Sequence, residues 1–309
     1  MKKISLINSD KKECGVYNYG NTLLSILSKS GRYRYEIVEI SGTKDLANWL
    51  ATTDTDAIIF NYHKATLPWL SSNLTQHIKI KKFLINGHDS YDHFTGIEHN
   101  FVCDCTFIAD EYSTPIPRPI PFFQEINYNN PGNIIKIGSL GFGMGHKNFP
   151  RIVELANLQF RSPVEVNLHI PYGDYVDKTG GVAHQLANIC REIAQPHVTV
   201  NVSHNYMPNN IDVVRFLNRN DINIFNCDTG HDGVGVSSSL DFALAAMKPI
   251  GVGISNMYRN INWKKEINIE YTPIMEIISK GINPLREFYD KWSNEKLIQT
   301  FENQFDKFL

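Results

Sequence analysis

The chain has 309 residues, about twice the length of an ordinary single domain, so two domains are expected. Thirty Lys and Arg against 32 Asp and Glu leave a formal charge of -2, which argues against a large nucleic-acid-binding face. No apolar stretch approaches the roughly 18 residues of a membrane span, and the one in MKKISLINSD is too short for a signal peptide. Five irregularly spaced cysteines fit reduced thiols in the cytoplasm rather than a disulfide framework.

Short apolar runs alternate with amphipathic stretches along the chain. Lys3–Asn8 reads as a buried strand, and a helical pattern runs from Tyr19 to Ser28. Tyr35–Ile40 follows as a strand, Ala47–Leu50 as part of a short helix, and Ala57–Asn61 as a third strand. Thr66–Thr75 reads as helical, Lys82–Asn86 as a strand, and Phe107–Ala109 as another. Lys79, Lys81 and Lys82 read as a solvated strand edge. The four prolines of TPIPRPIPF, Thr114 to Phe122, remove backbone donors and disfavour helix, which predicts an extended connector.

A second series then begins, with strands expected at Ile134–Ser139, Val164–Ile170, Val198–Val202, Ile222–Asn226 and Pro249–Val252. Helices are expected near Phe149–Leu158, Gly181–Ala194, Ile211–Leu217 and Ser237–Ala246. From Pro284 the apolar positions Leu285, Phe288, Trp292, Leu297, Phe301, Phe305 and Phe308 follow a broken helical period. Strand–helix alternation with continuous apolar strands implies parallel sheets covered on both faces. The expected architecture is α/β: two doubly wound Rossmann-like domains, 1–122 and 123–283, facing a cleft, with a helical tail over 284–309 that packs back on the first.

Ligands of such folds sit outside the carboxyl ends of the strands, so the loops leaving strands are the candidates. In SDKKECGVYNY after the first strand, Gly15 lets a ligand approach the backbone. Gly87-His88-Asp89 sets an imidazole beside a carboxylate, a pair suited to sugar hydroxyls or to proton movement. IIKIGSLGFGMGHKN opens a strand into Gly138, Gly141, Gly143 and Gly145, then His146 and Lys147, a pattern suited to phosphate. It matches neither the Walker spacing nor GxGxxG. NCDTGHDGVGVSSSLDFALAA carries Asp228, His231, Asp232 and Gly233, then serines that would cap a helix and hold a diphosphate, with Asp241 one turn further on.

IGSLGFGMGHKN and DGVGVSSSLDFALAAMKPIGVG together resemble the donor half of GT-B glycosyltransferases, closest to the retaining family-four group. CGVYNYGNTLLSIL is similar to that family's N-terminal glycine loop and first helix, and GHD to its histidine segment. The resemblance implies transfer of a sugar from a nucleotide-sugar to an acceptor hydroxyl, with retention, the second domain holding the donor and the first most of the acceptor. Lys147 would neutralise the leaving diphosphate, assisted by Gly141, Gly143, Val236, Ser237 and Ser238. Asp232 and Gly233 would meet the sugar, Asp241 the ribose, His88 the donor sugar, and Gly15 the phosphates or the acceptor.

No metal and no cofactor is implied, the nucleotide-sugar being a substrate, and the acceptor is open among glycan, lipid-linked and nucleic-acid classes. The site residues depart from the family at two places: the family's two glutamates, with seven residues between them, are here the shorter aspartates Asp232 and Asp241 with eight, and Phe142 stands where it has an arginine. Those departures favour a second reading, a GT-B-like nucleotide- or glycan-binding protein without activity. A third, a nucleotide-sugar enzyme such as a non-hydrolysing epimerase, would need more cleft acids and histidines than these loops supply.

Overall fold

The computed structural model describes the chain from 1 to 309 apart from residues 89, 124–125, 127–132, 174–175 and 229–234. The chain divides into two compact units. The first takes Met1–Ile120 and Lys291–Leu309 with a short stretch ending at Val236, and the second takes most of what lies between.

In the first unit the chain runs β1 (Lys2–Asn8), α1 (Gly15–Leu27), β2 (Tyr33–Glu39), α2 (Thr43–Leu50), β3 (Ala57–Asn61), α3 (Ser72–His77), β4 (Lys81–Asn86), β5 (His99–Val102) and β6 (Ser113–Pro115). The six strands are parallel, in the order β2-β1-β3-β4-β5-β6. Side chains alternate between the faces of a strand, so a continuous apolar run requires cover on both. Ile4, Leu6, Ile59, Phe83 and Ile85 point into one core with Tyr19, Leu23 and Ile26 of α1. Ile7, Ile58, Phe60 and Leu84 point into the other, against Leu46, Leu67 and Leu70.

Several expectations are corrected here. Phe107–Ala109 is not a strand: Phe107 lies against Tyr91 with ring centroids 5.7 Å apart, while Ile108 is 87% exposed. The strands in that region are β5 and β6, and β6 takes the start of the proline-rich segment into the sheet. The helix expected over Thr66–Thr75 is instead α3, where the Ser71 hydroxyl accepts from Leu74 N. Lys82 lies on an interior strand, is 5% exposed, and donates through Nζ to the carbonyls of Ile78 and Ile80 at 2.9 Å. Burial lowers the pKa of this ammonium from its ordinary value.

The second unit runs β7 (Ile135–Leu140), α4 (Phe149–Gln159), β8 (Val164–His169), α5 (Gly181–Ile193), β9 (Val198–Ser203), α6 (Asn210–Asn218), β10 (Ile222–Phe225), α7 (Ser239–Ala245), β11 (Ile250–Val252) and α8 (Ile274–Lys280), followed by α9 (Arg286–Lys291). Its five parallel strands lie in the order β11-β10-β7-β8-β9. One face packs Ile137, Val166, Leu168, Ile222 and Ile224 against α4, α5 and α8. The opposite face carries a polar row. Asn201 and Asn167 are register partners, as are Asn167 and Gly138, and Gly138 and Asn223. Asn220 lies over Gly138 and spans the gap: Asn201 Nδ2 donates to Asn167 Oδ1, Asn167 Nδ2 to Asn220 Oδ1, and Asn220 Nδ2 to Asn223 Oδ1, each at 3.0 Å.

The final helix, α10 (Asn294–Phe308), belongs to the first unit, where Leu297, Phe301 and Phe305 are fully buried in the α1 core. Phe101 and Phe301 pack with centroids 4.0 Å apart, and Tyr33 donates from its hydroxyl to Asp306 at 2.7 Å. Among the described residues no helix is long and apolar enough to cross a membrane.

Among the described residues, each unit holds one deeply buried histidine that the fold keeps neutral. His99 in the first and His169 in the second are both 3% exposed, and burial pushes each down to about 4 from an ordinary 6.5. Unfolding lets each ring take a proton once the pH drops below 6.5. The stability linked to each is therefore complete above pH 6.5 and falls by about 1.4 kcal/mol per pH unit on the way down to about 4. Urea midpoints measured from pH 7.5 to 4.5 should decline less steeply in His99→Gln or His169→Gln than in the parent. Parallel declines would contradict this assignment.

Candidate functional site

In an open parallel sheet the ligand crevice lies at the carboxyl ends of the strands where the winding reverses. In the second unit that place is between β7 and β10, which are neighbours in the sheet although β8 and β9 intervene in sequence. The two loops leaving these strands are tied together. Asp228 N donates to the carbonyl of His146 at 2.8 Å, and Asn148 Nδ2 donates to Asp228 Oδ1 at 2.6 Å. Asn148 adopts the left-handed conformation (φ 49°) between a 3-10 turn over Gly145–Lys147 and α4.

Lys147 sits on that turn, half-buried, with its aliphatic stem across Gly141: a Cβ added at Gly141 would lie 3.5 Å from Lys147 Cδ. The ammonium is thus carried at the exit of β7. Gly143 has a packing reason of its own. A Cβ there would approach Ala183 N to 2.8 Å, so the missing side chain lets the loop lie against the first turn of α5. That helix start is already capped by Asp177, whose Oδ2 accepts from Ala183 N at 2.8 Å.

The serine segment differs from expectation. Ser238 precedes α7 in helical conformation with no capping bond from its side chain, and the Ser237 hydroxyl pairs with that of Ser239 at 2.6 Å. Ser237 N donates to the carbonyl of Met257 at 3.0 Å, anchoring the segment to the stretch after β11. Asp241 lies in α7 and is 4% exposed. Asp232 and Gly233, expected to meet the donor sugar, and Asp89 beside His88 lie outside the described residues.

In the first unit the reversal falls between β1 and β3. Gly15 is the first residue of α1 rather than a loop residue. Cys14 is the N-cap, its sulfur accepting from Tyr17 N at 3.4 Å. His88 follows β4 and is half-buried, and its carbonyl accepts from Val236 N at 3.3 Å. His88 Nε2 lies 2.9 Å from Asn61 Oδ1, and its ring meets Tyr19 edge-on with centroids 4.8 Å apart.

Around His88 the sequence expectations named neither Asn8 and Asn61 nor Cys103 and Arg118. A readable signal exists for the first two: β1, β3 and β4 each end an apolar run on asparagine, at Asn8, Asn61 and Asn86. A polar residue at the carboxyl end of a buried strand sits where crevices form. Gly20, in the middle of α1, makes room for two of them, since a Cβ there would stand 2.7 Å from Asn61 Nδ2 and 2.8 Å from Asn8 Nδ2. Among the described residues no group of three or more His, Cys, Asp or Glu is placed to hold a metal ion.

Two doubly wound α/β units of this kind in one chain define the GT-B fold. Solved structures carry the likeness over nearly the whole length. Anabaena Alr3699/HepE, solved in complex with UDP and glucose, matches with a TM-score of 0.67 and 11% identity over 99% of this chain and 100% of that one. A glycosyltransferase from Rickettsia africae matches with a TM-score of 0.66 and 10% identity over 99% and 98%. An α-glucosyltransferase, solved in complex with UDP and a 13-mer DNA, matches with a TM-score of 0.59 and 13% identity over 99% of each chain. No protein-family model and no curated protein sequence matches the chain.

Proposed function

We propose that the chain is a glycosyltransferase of the retaining, family-four kind, moving a sugar from a nucleoside-diphosphate sugar to an acceptor hydroxyl without a metal ion. The observation that carries the reading is Lys147, half-buried where the winding of the second sheet reverses, in a chain whose fold is shared with UDP-bound HepE and with a UDP-bound α-glucosyltransferase. As the sugar leaves, negative charge grows on the diphosphate, and an ammonium fixed beside it stabilises that charge more in the transition state than in the ground state. Gly141 and Gly143 allow close backbone approach, and Val236, Ser237 and Ser238 complete the donor contacts. Asp232 and Gly233 meet the sugar, Asp241 the ribose, and Gly15 the phosphates or the acceptor. His88 hydrogen-bonds the donor sugar.

In this reading domain 123–283 binds the donor, domain 1–122 takes the acceptor, and 284–309 is a tail on the first domain. The enzyme works in the cytoplasm, where its thiols stay reduced. The acceptor is a glycan, a lipid-linked sugar or a nucleic acid. The α-glucosyltransferase solved with DNA favours the last, and a net charge of -2 weighs against it.

One observation favours the second reading, binding without turnover: Asp241, the intended ribose contact, is 4% exposed within α7. A panel of nucleotide-sugars separates the two. Transfer requires UDP or another nucleoside diphosphate to raise the melting temperature, released nucleotide to appear in mass spectra, and the product to keep the donor's anomeric configuration. A thermal shift with no release at any donor establishes the binding protein, and no shift with any nucleotide or nucleotide-sugar overturns the transferase.

A further inference from the structure

We propose that Asn61 is a positioning residue that fixes the neutral His88 ring as its Nε2–H tautomer, so that Nδ1 meets a sugar hydroxyl as an acceptor. The sugar contact rests on the reading of His88 given above; the hold on the ring rests on geometry alone. Backbone carbonyls can only accept, and two of them orient the whole chain of amides. Asn8 Nδ2 donates to the carbonyl of Tyr17 at 3.1 Å, which turns Asn8 Oδ1 toward Asn61. Asn61 Nδ2 donates to that oxygen at 3.0 Å and to the carbonyl of Val16 at 2.7 Å, using both of its hydrogens. Asn61 Oδ1 is therefore the atom facing His88 Nε2 at 2.9 Å, and the ring nitrogen must carry the hydrogen.

Cys103 and Tyr19 stand against the same ring, and Arg118 against Tyr19. Cys103 Sγ lies 3.8 Å from Nδ1 and 3.9 Å from Nε2, nearly equal distances that favour neither nitrogen. Tyr19 meets the ring by its edge, and the Arg118 guanidinium stands 5.6 Å from the Tyr19 centroid while donating to the Cys103 carbonyl at 3.0 Å. Asn8 and Asn61 are both fully buried, so water does not exchange for these bonds. The neutral ring's lone pair is thereby assigned to Nδ1, and a hydroxyl that meets it must donate, leaving its own oxygen more electron-rich.

The test is a histidine-labelled two-bond proton–nitrogen spectrum of the full chain at pH 8, with His88→Gln identifying the His88 signals. The expected pattern is a pyrrole-like Nε2 and a pyridine-like Nδ1; the reverse pattern, or an even mixture, overturns the proposal. Asn61→Asp keeps an acceptor facing Nε2 while its protonated carboxyl donates toward Asn8 Oδ1 and the Val16 carbonyl in place of Nδ2, so the Nε2–H tautomer should persist. Loss of the Nε2–H pattern in this variant overturns the proposal even if Asn61→Leu, which should release the tautomer, fails to fold. UDP-dependent melting shifts on the same samples keep the two readings apart. An Nε2–H ring in a protein that binds no nucleotide removes the sugar role and leaves the hold of Asn61 on the ring intact.

Discussion

Lys147→Ala is expected to weaken UDP binding by about 10- to 100-fold and to depress turnover further still. A hydrogen bond from a charged group contributes about 1.5–3 kcal/mol, and phosphate is the acceptor for which a fixed ammonium is strongest. The side chain is not a freely moving surface lysine, because its stem runs over Gly141 and its turn is tied through His146 and Asn148 to the loop after β10. Less entropy is therefore lost when the ammonium meets a phosphate. Turnover should suffer more than binding, since the leaving diphosphate carries more charge in the transition state than in the bound donor. Calorimetry with UDP reads the first effect and nucleotide release the second. Lys136→Ala serves as the control: that lysine stands on β7, 3.9 Å from Glu165, and should leave both unchanged. If Lys147→Ala binds UDP as tightly as the parent, the transferase reading loses its foundation.

Gly138→Ala should cost about 3–5 kcal/mol of stability, although it adds one methyl group. The new Cβ would fall inside the van der Waals envelopes of Asn220 Nδ2 and Asn223 Oδ1, both in residues that are essentially fully buried. Displacing Asn220 breaks its bonds to Asn167 and Asn223 together with those from its Nδ2 to the carbonyls of Phe216 and Leu217. Overpacking costs about 1–3 kcal/mol, and each buried polar group left without a partner about as much again. A drop in the urea midpoint with an unchanged slope would identify the loss as one of stability. Asn220→Ala should not rescue it, because Asn167 Nδ2 and Asn223 Oδ1 would still lose the partners that Asn220 supplies. A neutral Gly138→Ala would mean that the polar row is dispensable.

The strands that the sequence displays openly are those with an apolar run on at least one face. Ala57–Asn61 is found as expected, and β1, β4, β7, β8, β9 and β10 differ by a residue or two at an end. β5 is hidden because it begins His99-Asn100, and His99 is buried by the fold rather than by its own character. Phe107–Ala109 has the composition of a strand but no sheet partner. The start of α1 is hidden because its cap is a cysteine sulfur, not one of the hydroxyl or carboxamide groups that announce a helix.

At the candidate site, Lys147 and the glycines around it are legible from chemistry alone. The amide chain behind His88 is not, because Asn8, Asn61 and His88 are brought together only by strand order. Gly143 has in addition a packing reason that its place in a phosphate-like pattern does not reveal: its neighbour is the backbone of α5.

The first unit is discontinuous in sequence, with Phe301 and Phe305 of α10 buried against strands laid down some two hundred residues earlier. During synthesis the amino-terminal strands therefore leave the ribosome with one hydrophobic face covered only in part, by α1, and the intervening unit is finished before that face can close. Chaperone demand should peak in this interval. A nascent chain stalled before Asn294 should be cut by protease in its first 120 residues while the later unit resists.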